Sequence, residues 1–358
     1  MTKNPTPRLP WADAVRGFCV LAVVLSHFIG WGLEPVAGTG AESFWEKASG
    51  QLTPIRMPTL FVLSGFLLSS RVRAGFTDRR ALTSAATSYY LYVVWLALFG
   101  LIAAAGVFTG VSGVTGFVSQ LLLPRTILWF VLGLAFWTLL LAALHRVHPA
   151  AILIALGALS IASFWLPGQN GIDHYERILQ YGFFFGLGVY GKPVLSLLAG
   201  GKLWRVTAGA VLGYIVARMV MSAASDDAIV TSTLTIVRDT AAVVVAIVAI
   251  AAICRLPWAR VPLVWVGRRT LPIYVMHAPM IAALTGLAGW DAVVSTPGVA
   301  WAAPLVGTVV ISAIAVAVHA VLTRSPLRAL FELPSGLKRR LGGQAVVPSS
   351  DGERARHR

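Results

Sequence analysis

Apolar stretches of about twenty residues, the length that crosses a hydrocarbon layer as a helix, recur ten times along the chain. They cover residues 12–33, 55–70, 87–107, 127–145, 150–166, 178–197, 205–223, 232–253, 262–287 and 301–323. This pattern predicts an all-α fold, a polytopic transmembrane helical bundle of about ten spans. The second stretch is short and has Pro54 and Pro58 at its outer end, so a break is expected there. Residues 1–11 read as an amino-terminal segment, 12–325 as one membrane domain and 326–358 as a basic tail. In that tail Lys338, Arg339 and Arg340 lead into Gly/Ser/Pro-rich and charged sequence, which is expected to be disordered. No connection is long enough to hold a second folded domain.

Composition agrees with the spans. The 358 residues are 57% hydrophobic and 12% charged, with a mean hydropathy of +0.77. A soluble domain would carry about 25% charged residues. The net charge of +15 raises nucleic acid as a partner, but the basic residues sit in short connections and the tail, so the lipid bilayer is the expected partner and nucleic acid is not. Counted with the amino terminus inside, inner connections hold 20 Lys and Arg and outer ones 4. The positive-inside bias predicts an integral protein of the cell (inner) membrane with both termini cytoplasmic. The first span is too long, and lacks the small-residue cleavage site, to read as a signal peptide. Cys19 and Cys254 fall in or beside spans as packing residues, and no metal-ligand spacing occurs. Oligomeric state is not legible in the sequence.

Charge inside a span is expensive, which singles out Asp13, Arg16 and His27 in the first one. Arg16 and His27 are eleven residues apart, about three turns and roughly 16 Å of rise, on nearly the same helix face. Asp13 is placed to pair with Arg16. The alternative is an arginine that snorkels and a histidine that packs. Ser64, Arg238, Tyr274 and His277 fall near the depth of His27 once the spans are laid side by side, with Arg56 and Trp129 toward the outer ends of their own. Together they outline a polar chamber in the outer half of the bundle. The competing reading makes Arg238 and Asp239 a structural pair, and Ser64 with Gly65 a close helix contact. At the inner end Arg16, Arg268 and Arg269, with Arg79 and Arg80 in the adjacent loop, form a cluster suited to a multiply phosphorylated ligand. The ordinary surplus of positive charge on the inner face is the alternative there.

Asp13-x-x-Arg16-Gly17, with ten residues between Arg16 and His27, resembles the first helix of membrane acyltransferase family 3, integral-membrane O-acyltransferases acting on sugars and related acceptors. Arg56 with Leu60-Phe61-Val62-Leu63-Ser64-Gly65-Phe66-Leu67 is similar to the family's second-helix motif. Leu128-Trp129-Phe130 is similar to its "LWF", and Gly267 to His277 to its penultimate-helix signature. The resemblance covers residues 10 to 325. It implies acyl-CoA, most simply acetyl-CoA, as the donor substrate held by the inner arginines, with no metal. Family members often show Arg-x-x-Arg before the third span, whereas this chain has Arg71-x-Arg73 and Arg79-Arg80.

Acyl transfer from a thioester to an alcohol needs a base for the hydroxyl proton, and imidazole suits that task. His27 is expected as that base, with a covalent acyl-histidine as the other route. Arg16, too far along the helix to touch the same atom, is expected to hold the donor's polar portion. The predicted function is O-acetylation of a saccharide or glycosylated acceptor such as a cell envelope polysaccharide. A transporter or flippase for a sugar-containing or lipid-linked substrate is the rival, although no internal repeat supports it.

Overall fold

The computed structural model describes residues 9–77, 79–104, 113–166, 174–223 and 228–341. Among these residues the fold is helical with no strand. In order, the helices are α1 (Pro10–Gly32), α2 (Gly40–Arg73), α3 (Arg80–Ala104), α4 (Gly113–Gln120), α5 (Trp129–Ala143), α6 (Pro149–Ala162), α7 (Tyr175–Tyr190) and α8 (Lys192–Ala199). They continue with α9 (Trp204–Ala223), α10 (Ala228–Ile253), α11 (Pro257–Gly267), α12 (Thr270–Thr285), α13 (Trp290–Val294), α14 (Val299–Leu322) and α15 (Ser335–Arg340). Six of them, α1, α2, α3, α9, α10 and α14, are long and apolar enough to cross a membrane. The bent pair α7–α8 adds a seventh if it counts as one span, and α5, α6 and α12 are apolar but shorter.

α1 is the central post, packed against α2, α10, α11, α12 and α14. Its face of Ala12, Val15, Cys19, Val23 and Val24 is buried in the main core. α2 carries the second layer and packs on α7, α1, α10 and α5. α9 touches mainly α10, and 6% of its apolar window is buried, so the rest of its surface suits lipid.

Two contacts are made by backbone alone. A Cβ on Gly65 would stand 2.1 Å from the Phe185 carbonyl oxygen, and one on Gly188 would stand 2.0 Å from that of Val62. α2 and α7 therefore meet with no side chain between them, the close approach small residues allow in membrane helices. Likewise a Cβ on Gly17 would stand 2.3 Å from Leu263 O, and one on Gly267 1.7 Å from Asp13 O, which presses α1 against the end of α11.

Four expectations are corrected. The break expected at Pro54 and Pro58 is absent: α2 runs unbroken for 34 residues with both prolines inside. Proline is tolerated inside membrane helices, where neighbouring helices can make up for lost backbone bonds. The start of α2 is fixed instead by Thr39, whose side chain accepts from the Glu42 N–H at 3.4 Å, while the Glu42 carboxylate accepts from the Gly38 N–H at 3.3 Å. That reciprocal cap extends the helix into what reads as an outer loop.

The stretch 262–287, expected as one span, is instead α11 and α12 with Arg268 and Arg269 in the joint. α11, 11 residues long, spans about 16 Å. It is too short to cross the roughly 30 Å hydrocarbon core. The 178–197 stretch likewise bends by 80° between α7 and α8 at Gly191.

The segment after residue 325, expected to be disordered, is docked through Leu333, whereas α15 beyond it is exposed. Tyr90 donates to Ala329 O at 3.0 Å and Trp95 Nε1 to Leu330 O at 2.7 Å. Phe331, buried, lies against His319 with ring centres 4.5 Å apart. Leu330-Phe331-Glu332-Leu333 supplies apolar anchors within an otherwise charged segment, and residues 342–358 lie outside the described residues.

The glycine contacts make a paired test. Gly188→Ala should lower the thermal unfolding midpoint of the detergent-solubilised protein, because overpacking typically costs about 1–3 kcal/mol. Gly209→Ala, whose Cβ would meet nothing within 4 Å, should leave the midpoint unchanged or raise it. Equal midpoints for the two variants would contradict the backbone contact.

Candidate active site

α1 carries both halves of the site. At its amino-terminal end Arg16 Nη2 donates to Thr270 Oγ1 at 2.7 Å, and Thr270 opens α12 immediately after the break. Asp13 stands 4.0 Å from Arg16 Nη1 and 3.4 Å from Arg268 Nε. One carboxylate thus serves two guanidinium groups on different elements. The Arg268 side chain is 45% exposed, so the pair contributes little to stability. Its effect is to orient both cations at the α11–α12 joint.

Beside that joint opens a groove of about 740 Å³ lined chiefly by Arg255, Arg260, Trp265, Arg268 and Arg269, with Pro10 at its edge. Arg269 lies over the Trp265 ring at 4.3 Å and donates from Nη1 to Trp265 O at 3.1 Å. Four guanidinium groups around one groove favour a phosphorylated ligand. Arg255 and Arg260 were counted in the sequence only as inner-face charge. Yet Arg260, Val264, Trp265 and Arg268 recur at helical spacing, which places them on one side of α11. Arg79 and Arg80 do not line this groove. They lie at the start of α3, where nearby Arg71 Nη1 donates to Ser84 Oγ at 2.7 Å and ties the end of α2 to α3.

The carboxyl-terminal half of α1 bears His27, half-buried. Its Nδ1 lies 2.9 Å from Val23 O. A ring nitrogen against a carbonyl oxygen is the protonated one, which leaves the lone pair on Nε2. The His27 ring centre is 5.0 Å from that of His277 and 5.4 Å from Trp31. From His277 the aromatic contacts continue to Tyr274 at 5.9 Å, Phe130 at 5.4 Å and Phe61 at 4.9 Å. Phe61 in turn stacks on Tyr181 and Trp129. α1, α12, α5, α2 and α7 thus share one aromatic wall, and the Tyr274 hydroxyl donates to Ile127 O at the foot of α5.

Cationic groups lie within electrostatic range of this wall. Arg56 donates to Ser49 Oγ at 3.2 Å, and the charges of Arg56 and Arg177 both reach His27. The charges of Arg56, Arg177, Arg238 and Asp239 reach Tyr181. Arg177 and Tyr181 were not among the sequence candidates. Arg238 pairs with its neighbour Asp239 at 2.6 Å, which fits a structural pair. The Ser64 hydroxyl donates to Leu60 O of its own helix at 2.7 Å, and Gly65 makes the α7 contact, so packing accounts for this part of the motif.

Residues 9–322 match the family model Acyl_transf_3, described as an acyltransferase domain. The chain belongs to membrane acyltransferase family 3. No curated protein and no solved structure matches it. Family membership and the long apolar helices together make the chain an integral-membrane acyltransferase. Within this family 3 acyltransferase, the groove and the aromatic wall lie toward opposite ends of one helix.

The Arg16–Thr270 bond can be isolated. Thr270→Val keeps the shape of the side chain and removes the hydroxyl, and hydrogen bonds to charged groups are worth about 1.5–3 kcal/mol. The variant should unfold at lower temperature than wild type in detergent. A Thr270→Ser variant should stay close to wild type, and an undiminished midpoint for the valine variant would mean that Arg16 is held by other contacts.

Proposed function

We propose that the protein moves an acyl group, acetyl in the simplest case, from cytoplasmic acyl-CoA to a hydroxyl of a saccharide or glycosylated acceptor in the cell envelope. The observation that carries this reading is the division of α1: Arg16 is tied through Thr270 and Asp13 to the α11–α12 joint beside the arginine-lined groove, and His27 stands in the aromatic wall about three turns further on. The groove suits the phosphates of coenzyme A, and Trp265 offers a flat surface beside them. Arg16, Arg268 and Arg269 hold the polar end of the donor, joined by Arg255 and Arg260. The pantetheine arm spans the roughly 16 Å to His27. Family membership favours this enzyme over the transporter weighed from the sequence.

In the chamber His27 Nε2 takes the proton of the acceptor hydroxyl as its oxygen bonds to the thioester carbonyl carbon. The carbon–sulfur bond then breaks, and the thiolate recovers the proton. Arg56 and Arg177 supply positive charge for the developing oxyanion. The orientation that serves this route places both termini in the cytoplasm of a cell membrane and crosses ten times: by the six long helices, the bent α7–α8 pair, α5, α6 and α12. α11 then lies along the inner interface, with the exposed Trp258 toward the headgroups.

Two outcomes test the reading. His27→Ala should keep membrane abundance and acyl-CoA binding while losing transfer by about 10²- to 10⁴-fold, the usual contribution of a positioned base. Arg16→Ala should lose both binding and transfer. Near-normal turnover in the His27 variant would remove the base assignment. For orientation, reporter fusions after residues 38, 77 and 345 should read outside, inside and inside, and an external carboxyl terminus would reject the ten crossings.

A further inference from the structure

His277 is fully enclosed, at 0% exposure. Its Nδ1 lies 2.6 Å from Tyr274 O and 3.2 Å from Ile273 O, so that nitrogen carries the proton and Nε2 holds a lone pair. Nε2 is buried with no hydrogen-bond partner. A buried acceptor without a donor is costly and persists where function supplies the donor. Two aromatic rings lie against the His277 ring. Tyr274 spends its hydroxyl on Ile127 O, which leaves His27, 5.0 Å away between ring centres and inclined at 68°. His27 is in the same tautomer, so at rest neither ring has a proton on its free nitrogen.

We infer that His277 is a positioning residue whose Nε2 lone pair accepts a hydrogen bond from His27 once His27 has taken the acceptor's proton. The inference rests on His27 being the base proposed above. The proton taken from the acceptor makes His27 Nε2 a donor, and as the acceptor oxygen turns to the carbonyl carbon that N–H can swing to the unpartnered His277 Nε2 in the neighbouring ring as a charge-assisted N–H···N bond. The proton comes from the acceptor hydroxyl as the ester bond forms. It is held between the rings while the carbon–sulfur bond breaks, and it returns to the departing thiolate, so the products are ester and thiol and the pair is restored. Arg56 on α2 and Arg177 on α7 bring positive charge toward His27, so an imidazolium there gains from a facing acceptor.

The experiment uses the full chain in membranes, radiolabelled acetyl-CoA as the probe and label entering the glycan fraction as the readout. His277→Phe and His277→Leu remove the lone pair. Each should lower apparent kcat about 10- to 100-fold with KM for acetyl-CoA unchanged, the scale of a hydrogen bond to a charged group. His277→Gln, which offers an amide oxygen in place of Nε2, should recover most of that loss. The inference is overturned if kcat in the Phe and Leu variants stays near wild type, if KM rises in step with the loss, or if Gln is as poor as Phe. It is also overturned if neither Phe nor Leu accumulates in the membrane, since His277 then serves folding. An active His27→Ala variant would instead overturn the base assignment, whereas an inactive one beside an active His277→Phe would overturn only the pairing.

Discussion

Everything in the arrangement of the two half-sites depends on the contact in which α1 meets the α11–α12 joint without side chains between. Gly17 and Gly267 leave room for nothing larger than hydrogen on the facing surfaces. Dispersion acts over short distances, so this closeness gives α1 a fixed seat in an environment where lipid tails compete equally for apolar side chains. Asp13, Arg16, Thr270 and Arg268 can then share one small polar cluster. A bulkier residue at either glycine would push the helices apart and open the cluster to lipid and water.

The α2–α7 contact works in the same way one layer further out. Gly65 and Gly188 bring the two backbones together, and Ser69 Oγ bridges them by donating to Val189 O at 2.6 Å. Phe61, one turn from Gly65 on α2, is thereby set against Tyr181 and Trp129. The aromatic wall is thus a consequence of backbone spacing as much as of ring–ring attraction, which adds only about 0.5–1.5 kcal/mol per pair.

Much of this was legible in the sequence because a helix has one period. The placing of Arg16 and His27 on one face needed only the spacing of eleven, and the family signatures lie in continuous stretches. The joint at Arg268 and Arg269 was not legible, since hydropathy runs on through 262–287 and the constraint comes from Asp13, about 250 residues earlier in the chain. α2 was misread for a different reason. Proline breaks a solvated helix, but inside a bundle neighbours repair the loss, and the Thr39-x-x-Glu42 cap that marks the true start was present and overlooked. The groove arginines 255 and 260 were absorbed into a charge count that ignores which side of α11 they occupy. Tyr181 needed the α7 packing before it could join the aromatic wall, and Arg177 before it could come within range of it.

The unequal lengths of the helices bear on the bilayer itself. α2, with 34 residues, is about 51 Å long, some 20 Å more than the hydrocarbon core. Its Glu42, Glu46 and Lys47 lie in the half that reaches beyond. α5 and α6, with 15 and 14 residues, are only about 22 and 21 Å long. They nevertheless show lipid-sized apolar side chains such as Phe136 and Ile154 on the outside. Lipid packed against such a wall must compress to avoid leaving acyl chains against polar loops, at a modest cost per ångström of mismatch. Where α5 and α6 cross as proposed above, the bilayer on that flank is thinned into a dimple, and the aqueous phases on the two faces come nearer to each other than the undisturbed membrane allows.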